Sequence, residues 1–314
     1  MSRRFTNLDT RHRPPNPAAV FRWAILDRIL RRRRVQSPGE PATRVSPDLD
    51  LIHNAHGQDL LTWIGHSSFL LSVSGLRVLI DPVFSKRIGV FYKRHGLPGL
   101  LPEQLPPIDV LLISHNHYDH LDEPSLLPLR RDISVLVPAG LGNWFRTRGF
   151  SRVTELQWWE SDEVHESRIT LVPARHWSRR SLFDMNCSLW GGFVIEGPGA
   201  AIYHAGDSAW FDGFVEIGQR FPNLDVAILP IGGYEPSWFM DRNHMNPEQA
   251  GQAFLDIGAR LLVPMHWGTF QMTDEPLTEP ATRLKDWWRN NEPDNNRKLY
   301  VPAVGETQII GKDR

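Results

Sequence analysis

Ser114-His115-Asn116-His117-Tyr118-Asp119-His120-Leu121-Asp122 places three imidazoles and a carboxylate within six positions, directly after the apolar run Val110 to Ile113. Two histidines at i and i+2 beyond a strand converge on one cation, while Asp119 and His120, further round the turn, face a second. Neutral imidazole suits zinc and other borderline divalent ions, and carboxylate takes the harder contacts. The alternative is a surface turn that is merely rich in histidine, and the density of donors at a strand end weighs against it.

One loop cannot close two such sites, because each ion takes about three to five donors counting water. Further donors are expected beyond other β-type runs, since open sheets gather functional side chains where their strands end. Ile169-Thr170-Leu171-Val172-Pro173 leads to His176, Ala200-Ala201-Ile202-Tyr203 leads to Asp207, and Leu261-Leu262-Val263-Pro264-Met265 leads to His266. His165 follows the polar Glu160-Ser161-Asp162-Glu163 and is passed over in favour of His176. His66 and Asp81 close two short apolar runs in the first half and are candidates to orient the metal-binding side chains. Carboxylates commonly steer ligand histidines, which favours Asp81 of the two.

His-x-His-x-Asp-His, followed at long intervals by His176, Asp207 in Ala-Gly-Asp-Ser, and His266, resembles the metallo-β-lactamase-fold hydrolases with two metals. Within that superfamily several words resemble the phospholipase D that hydrolyses N-acylphosphatidylethanolamine, and its bacterial relatives. They are Trp63-Ile64-Gly65-His66, Asp81-Pro82-Val83-Phe84-Ser85, Leu105-Pro106-Pro107-Ile108-Asp109, Gly233-Tyr234-Glu235-Pro236 with Trp238-Phe239-Met240, and His266-Trp267-Gly268-Thr269-Phe270. Ser237 stands where close relatives carry arginine.

The resemblance implies an α/β protein, a four-layer αβ/βα sandwich. It implies two zinc ions per chain, with iron or manganese fitting the same donors. His115, His117 and His176 would hold one, Asp119, His120 and His266 the other, and Asp207 would bridge them. It further implies a hydroxide nucleophile that attacks phosphorus, with Asp119 and Asp207 as the catalytic carboxylates. The products would be phosphatidic acid and an N-acylethanolamine. Tyr118 and His244 match positions that contact the phosphate or amide region of the substrate. The alternatives are a hydrolase of a soluble phosphoester or lactone on the same fold, and a non-catalytic binding module, which an intact ligand set disfavours.

The 314 residues are 41% apolar and 23% charged, as expected of a globular chain with a sizeable core. No run approaches the ~18–20 apolar residues that span a bilayer, and no secretory signal opens the chain, so a cytoplasmic location is expected. Cys187 is the single cysteine; it excludes an intrachain disulfide and reads as a small core residue. The net charge of −1 conceals an asymmetry: residues 1–34 carry ten arginines against two aspartates, leaving 25 basic and 34 acidic residues beyond. That acidic remainder, without a basic stripe, argues against nucleic acid as a partner.

Three parts follow: a basic amphipathic segment 1–35, a linker 36–59 wrapping the core, and a catalytic domain 60–314. Val20 to Leu30 repeats apolar residues at helical spacing and runs into Arg31 to Arg34. Such a helix suits the peripheral surface of an anionic membrane, or packs on its own domain or a second copy in a homo-oligomer. His12, His53, His56 and His95 read as surface residues, and residues 84–107, with Phe91, as a loop at the pocket edge. Strands are expected at 60–64, 69–73, 78–80, 134–138, 188–195, 200–204, 225–229 and 260–264. Helices are expected at 123–129, 140–148, 210–220, 247–257 and 279–290, with Asn246 capping the fourth. The connection Ile231 to Asn246 is expected to roof the site.

Overall fold

In the computed structural model, which describes residues 4–9, 17–30, 38–55, 57–89 and 92–311, the apolar runs become strands buried on both faces. β1 (Leu60–Gly65), β2 (Ser68–Val73) and β3 (Leu76–Ile80) form an antiparallel meander. β4 (Arg87–Ile88) and β5 (Tyr92–Lys93) pair as a separate hairpin. β6 (Val110–Leu112), β7 (Ser134–Pro138) and β8 (Arg152–Leu156) then add in parallel beside β3. The second half repeats the plan. β9 (Ser161–Val164), β10 (Ser167–Val172), β11 (Gly192–Glu196) and β12 (Ile202–His204) run antiparallel. β13 (Val226–Pro230), β14 (Leu261–Met265) and β15 (Lys298–Leu299) follow in parallel, and β16 (Thr307–Ile309) returns to pair with β1. Two seven-stranded sheets result, ordered β16-β1-β2-β3-β6-β7-β8 and β15-β14-β13-β12-β11-β10-β9.

The period of two along each strand sorts side chains into layers. Leu61 and Trp63 of β1, Phe69 and Leu71 of β2, Val78 and Ile80 of β3 and Val110 and Leu112 of β6 share one cluster with the second sheet. Their neighbours Ile64, Leu70, Leu79 and Leu111 face outward, against Leu126 and Phe145 of the helices Glu123–Leu126 and Gly142–Arg146. On the other flank, helices Gly213–Arg220, Pro247–Ile257 and Glu279–Asn291 bury Phe214, Ile217, Ala250, Phe254 and Leu284 against the second sheet. Strands covered on both faces need no polar alternation, which is why they read as continuous apolar runs. Asn246 caps Pro247–Ile257 by accepting from Gln249 N at 2.8 Å, and the Gln249 side chain accepts from Asn246 N at 3.1 Å. Helix, sheet, sheet and helix make the four-layer α/β sandwich.

The structure differs from the sequence reading in several places. Residues 36–59 are not wholly irregular: Asp48 Oδ1 accepts from Leu51 N at 3.0 Å and starts the helix Leu49–His53, which buries Ile52. Residues 84–107 contain the β4–β5 hairpin and a 3-10 turn at Pro102–Gln104, because Val83, Ile88 and Phe270 form a small core of their own. β11 begins only at Gly192, since Leu189 N and Gly191 N instead donate to Ala139 O and Ser114 O of the opposite half. Cys187 is half-buried rather than a core residue. His53 is exposed and His95 half-buried, whereas His12, His56, Phe91 and Arg31 to Arg34 lie outside the described residues. Toward the N-terminus Pro17–Phe21 and Asp27–Ile29 are α-helical around a π-helical turn, Arg22–Leu26.

Candidate metal centre

Every candidate ligand comes from a strand end or from the roof. The first sheet contributes the loop after β6, with Asp81 after β3 and His66 in the β1–β2 turn. The second contributes His176 after β10, Asp207 after β12 and His266 after β14. His266 N donates to His66 O at 3.1 Å, so the two sheets are tied together at the site itself. His66, Asp81 and His266 occupy the left-handed region, with φ of 56°, 42° and 62°. Such conformations persist in non-glycine residues only where surrounding structure enforces them. Gly206, at φ 61°, is required beside Asp207: a Cβ there would stand 2.6 Å from Gly191 O and 2.8 Å from Ser114 Cβ.

The side chains fall into two groups that share Asp207. In the first, His117 Nδ1 lies 2.8 Å from His115 Nε2 and 3.2 Å from His176 Nε2. Asp207 Oδ2 stands 3.9 Å from His115 Nε2 and 3.8 Å from His176 Nε2. In the second, Asp207 Oδ2 is 3.2 Å from both His120 Nε2 and His266 Nε2. Asp119 Oδ2 is 3.6 Å and 3.5 Å from the same two nitrogens. His66 Nε2 meets Asp119 Oδ2 at 3.0 Å, and the His66 ring packs on His266 with centroids 4.2 Å apart. His66, Asp119, His120 and His266 thus form one cluster of donor atoms, His115, His117, His176 and Asp207 another, and Asp207, His244 and His266 a smaller third.

Outer contacts decide which nitrogens face inward. His176 Nδ1 lies 2.9 Å from Asn243 O; a carbonyl only accepts, so Nδ1 carries the proton and Nε2 turns a bare lone pair to the cluster. His120 Nδ1 meets Asp81 Oδ2 at 2.7 Å, leaving its Nε2 inward, and Ser114 N fixes Asp81 Oδ1 at 2.7 Å. His120 Nε2, His266 Nε2 and Asp207 Oδ1 are buried without a hydrogen-bond partner. Donor atoms crowded this closely with unmet hydrogen-bonding capacity fit a cation, and imidazole with carboxylate is the donor chemistry of zinc and its neighbours.

Burial holds His117 near a pKa of about 4 and His176 and His244 near about 3. It also drives His115 well below its ordinary value, with His120, His117 and His176 adding repulsion. His66 falls to about 4, mainly by burial and then by repulsion from His266. Burial opposes the charged forms of His120 and His266 as well, but Asp207 and Asp119 outweigh it. His120 rises well above the usual range and His266 to about 9. The two carboxyls are penalised by burial yet end well below the usual range, His120 being the first of the attractions that overcome it. Without an ion, two imidazolium groups balance two carboxylates, and a cation would displace those protons.

The remaining site candidates lie at the edge of this centre. His244 is half-buried, its Nδ1 3.9 Å from Asp207 Oδ2 and its ring 5.3 Å from that of His266. Tyr118 is half exposed and turns its hydroxyl outward, donating to Arg180 O at 2.9 Å. Sequence reasoning missed three contributors. Arg180 Nη1 donates to Asn116 O at 3.1 Å and Leu121 O at 2.6 Å, bracing the loop after β6. Asn243 holds His176 through a main-chain carbonyl. Asn7 contacts the His176 backbone from the far end of the chain. None carries a local signal, since a backbone acceptor is common to all residue types.

Residues 76–267 match the family described as the Beta-lactamase superfamily domain. A Caenorhabditis elegans protein named N-acyl-phosphatidylethanolamine-hydrolyzing phospholipase D 1 is 35% identical over 280 residues, covering 81% of this chain and 79% of that one. An Opitutus terrae protein described as a metal-dependent hydrolase is 31% identical over 250 residues, covering 79% of this chain and 98% of that one. Among solved structures, Igni18, a metallo hydrolase of Ignicoccus hospitalis, superposes with a TM-score of 0.62 at 25% identity, covering 80% of this chain and 97% of that one. With strand-end donors converging between two sheets and relatives spanning most of its length, the chain is a metal-dependent hydrolase of the β-lactamase superfamily.

Proposed function

We propose that this hydrolase is a phosphodiesterase of phospholipase D type that cleaves N-acylphosphatidylethanolamine to phosphatidic acid and an N-acylethanolamine. The observation that carries the reading is the sharing of Asp207 by two donor sets, the arrangement a phosphodiester displacement calls for. His115, His117 and His176 would hold one ion and Asp119, His120 and His266 the other, with Asp207 available to both and zinc the first expectation from the donors. When bound, two such cations supply Lewis acidity and make water acidic enough to serve as nucleophile near neutral pH.

The protein's own groups do the rest. Asp119, oriented by the His66 Nε2 contact, accepts the proton of the attacking water at its carboxylate, and that proton passes to the alkoxide oxygen of the departing N-acylethanolamine as the P–O bond breaks. Asp81 keeps the Nδ1 proton of His120 on the outside, so that the inward Nε2 stays available. His244, neutral and half-buried beside Asp207, meets the phosphate or amide region, and Tyr118 meets the substrate at the rim. The lipid assignment is supported by the name and coverage of the Caenorhabditis elegans relative.

An apolar surface supports contact with lipid. Phe21, Ile25, Ile29, Leu30 and Trp238 are exposed, and the Arg22 guanidinium lies 4.4 Å over the Trp238 ring. No helix among the described residues is long and apolar enough to cross a membrane. The proposal therefore places residues 1–35 peripherally at an anionic membrane on the cytoplasmic side, with 36–59 wrapping the catalytic domain 60–314.

The test is release of phosphatidic acid from N-acylphosphatidylethanolamine micelles by metal-analysed protein, with Asp207→Asn and bis(p-nitrophenyl) phosphate alongside. Lipid turnover lost in the variant supports the assignment. Turnover of the soluble diester alone would discard the lipid and leave a soluble phosphoester or lactone as substrate.

A further inference from the structure

His176 is gripped from two sides by residues remote in sequence. Asn7 Nδ2 donates to His176 O at 2.7 Å, and Asn7 Oδ1 accepts from His176 N at 3.1 Å, so one buried amide makes the pair of bonds a neighbouring strand would make. Phe5 N donates to Asn186 O at 2.9 Å, and Asn186 is itself bonded to Ser178, which aligns the segment along the stretch that follows His176. Sixteen residues beyond Asn7 the N-terminal region touches the site again. Trp23 is buried, stacks on Phe239 with centroids 5.5 Å apart, and donates from Nε1 to Asp274 Oδ2 at 3.2 Å. Phe239 lies in the helix Ser237–Met240, and Asn243 N donates to Met240 O at 2.8 Å. That turn presents the Asn243 carbonyl holding His176 Nδ1.

We propose that the N-terminal segment is a working part of the metal centre, with Asn7 as the positioning residue that fixes the His176 main chain. Trp23 braces the turn that fixes its ring. The side-chain chemistry is demanding: a donor and an acceptor on one short side chain are what asparagine offers, whereas aspartate lacks the donor and alanine both. Clamping both backbone groups of His176 fixes the direction in which its side chain leaves the main chain, and the Asn243 carbonyl then holds the ring with Nε2 in the cluster. Outer contacts of this kind govern how tightly a ligand histidine retains its ion. The inference rests on the reading of His115, His117, His176 and Asp207 as a metal-binding set.

The experiment follows transfer of zinc from the loaded full-length protein to a chromogenic chelator, for wild type, Asn7→Ala, Trp23→Leu and Asp48→Ala. Asp48→Ala removes the cap of Leu49–His53 and controls for general destabilisation. In Asn7→Ala one of the two ions is expected to leave about 10-fold faster or more, with the other unchanged. Trp23→Leu should accelerate the same ion by less, and Asp48→Ala should lower Tm while leaving both release rates near wild type. Should Asn7→Ala not fold, Asn7→Ser, which keeps one hydrogen-bonding group, takes its place with an intermediate acceleration. Wild-type release rates in the Asn7 variants, or equal acceleration of both ions, would overturn the proposal. A wild-type protein that retains fewer than two ions would overturn the metal-centre reading and this inference with it. Two retained ions without lipid turnover would overturn the lipid assignment alone.

Discussion

His120 carries its Nδ1 proton against Asp81 and aims Nε2 at Asp207, so the outer carboxylate orients the ring proposed to bind metal. Asp81→Ala is expected to weaken one of two bound ions by about 10–100-fold with the circular dichroism unchanged; chelator competition measures it, and an unaltered affinity would contradict the assignment. The raised His266 pKa sets the direction of the pH dependence. Below about 9 this ring holds a proton in the metal-free protein, which an ion must displace, so apparent affinity rises with pH through that value. Competition titrations on either side of it should show that slope, and a flat profile would contradict it. That these side chains would meet was legible in sequence because histidine and aspartate beyond an apolar run are chemically distinctive. Asn7 was not, because an amide near a terminus is ordinary and its partner lies 169 residues away. His244 sits in a polar run that conceals the burial of its ring.

Strands of the sheet interiors were legible for a related reason, since β2, β3, β7 and β14 are covered on both faces. Six strands escaped the sequence: β4 and β5 form the separate hairpin, and β8, β9, β15 and β16 are the outermost in the two large sheets. Edge strands are short and half exposed, so residues such as Arg152, Glu163 and Lys298 interrupt the apolar run. The helix Leu49–His53 announces itself only through its Asp48 cap, within a stretch dominated by proline and polar residues. At this scale the turn after β12 is the most exacting. Gly206→Ala is expected to cost about 1–2 kcal/mol for the left-handed backbone, with the contact at Gly191 O adding to it. Because the strain falls beside Asp207, metal content should drop along with Tm. Unfolding curves and metal analysis of the same preparation test this, and a variant with full metal content would contradict it.

Across the whole molecule, the first sheet supplies His115, His117, Asp119 and His120, and the second supplies His176, Asp207 and His266. Ions held by both sets would cross-link the halves of the sandwich, in the region where His266 N already bonds His66 O. Chelation should therefore lower the Tm of the whole domain rather than loosen one loop, since each ion at 100 times its Kd contributes about 2.7 kcal/mol. Calorimetry with and without chelator reads this directly, and an unchanged transition would contradict it. The doubled plan of antiparallel then parallel strands was legible only in outline, because pairing between distant strands leaves no local trace. The most direct measurement is the metal content of purified wild-type protein and of Asp207→Asn. The shared carboxylate predicts two ions per chain in the first and at most one in the second. A wild type that binds fewer than two, or a variant that retains both with unchanged affinity, would contradict it.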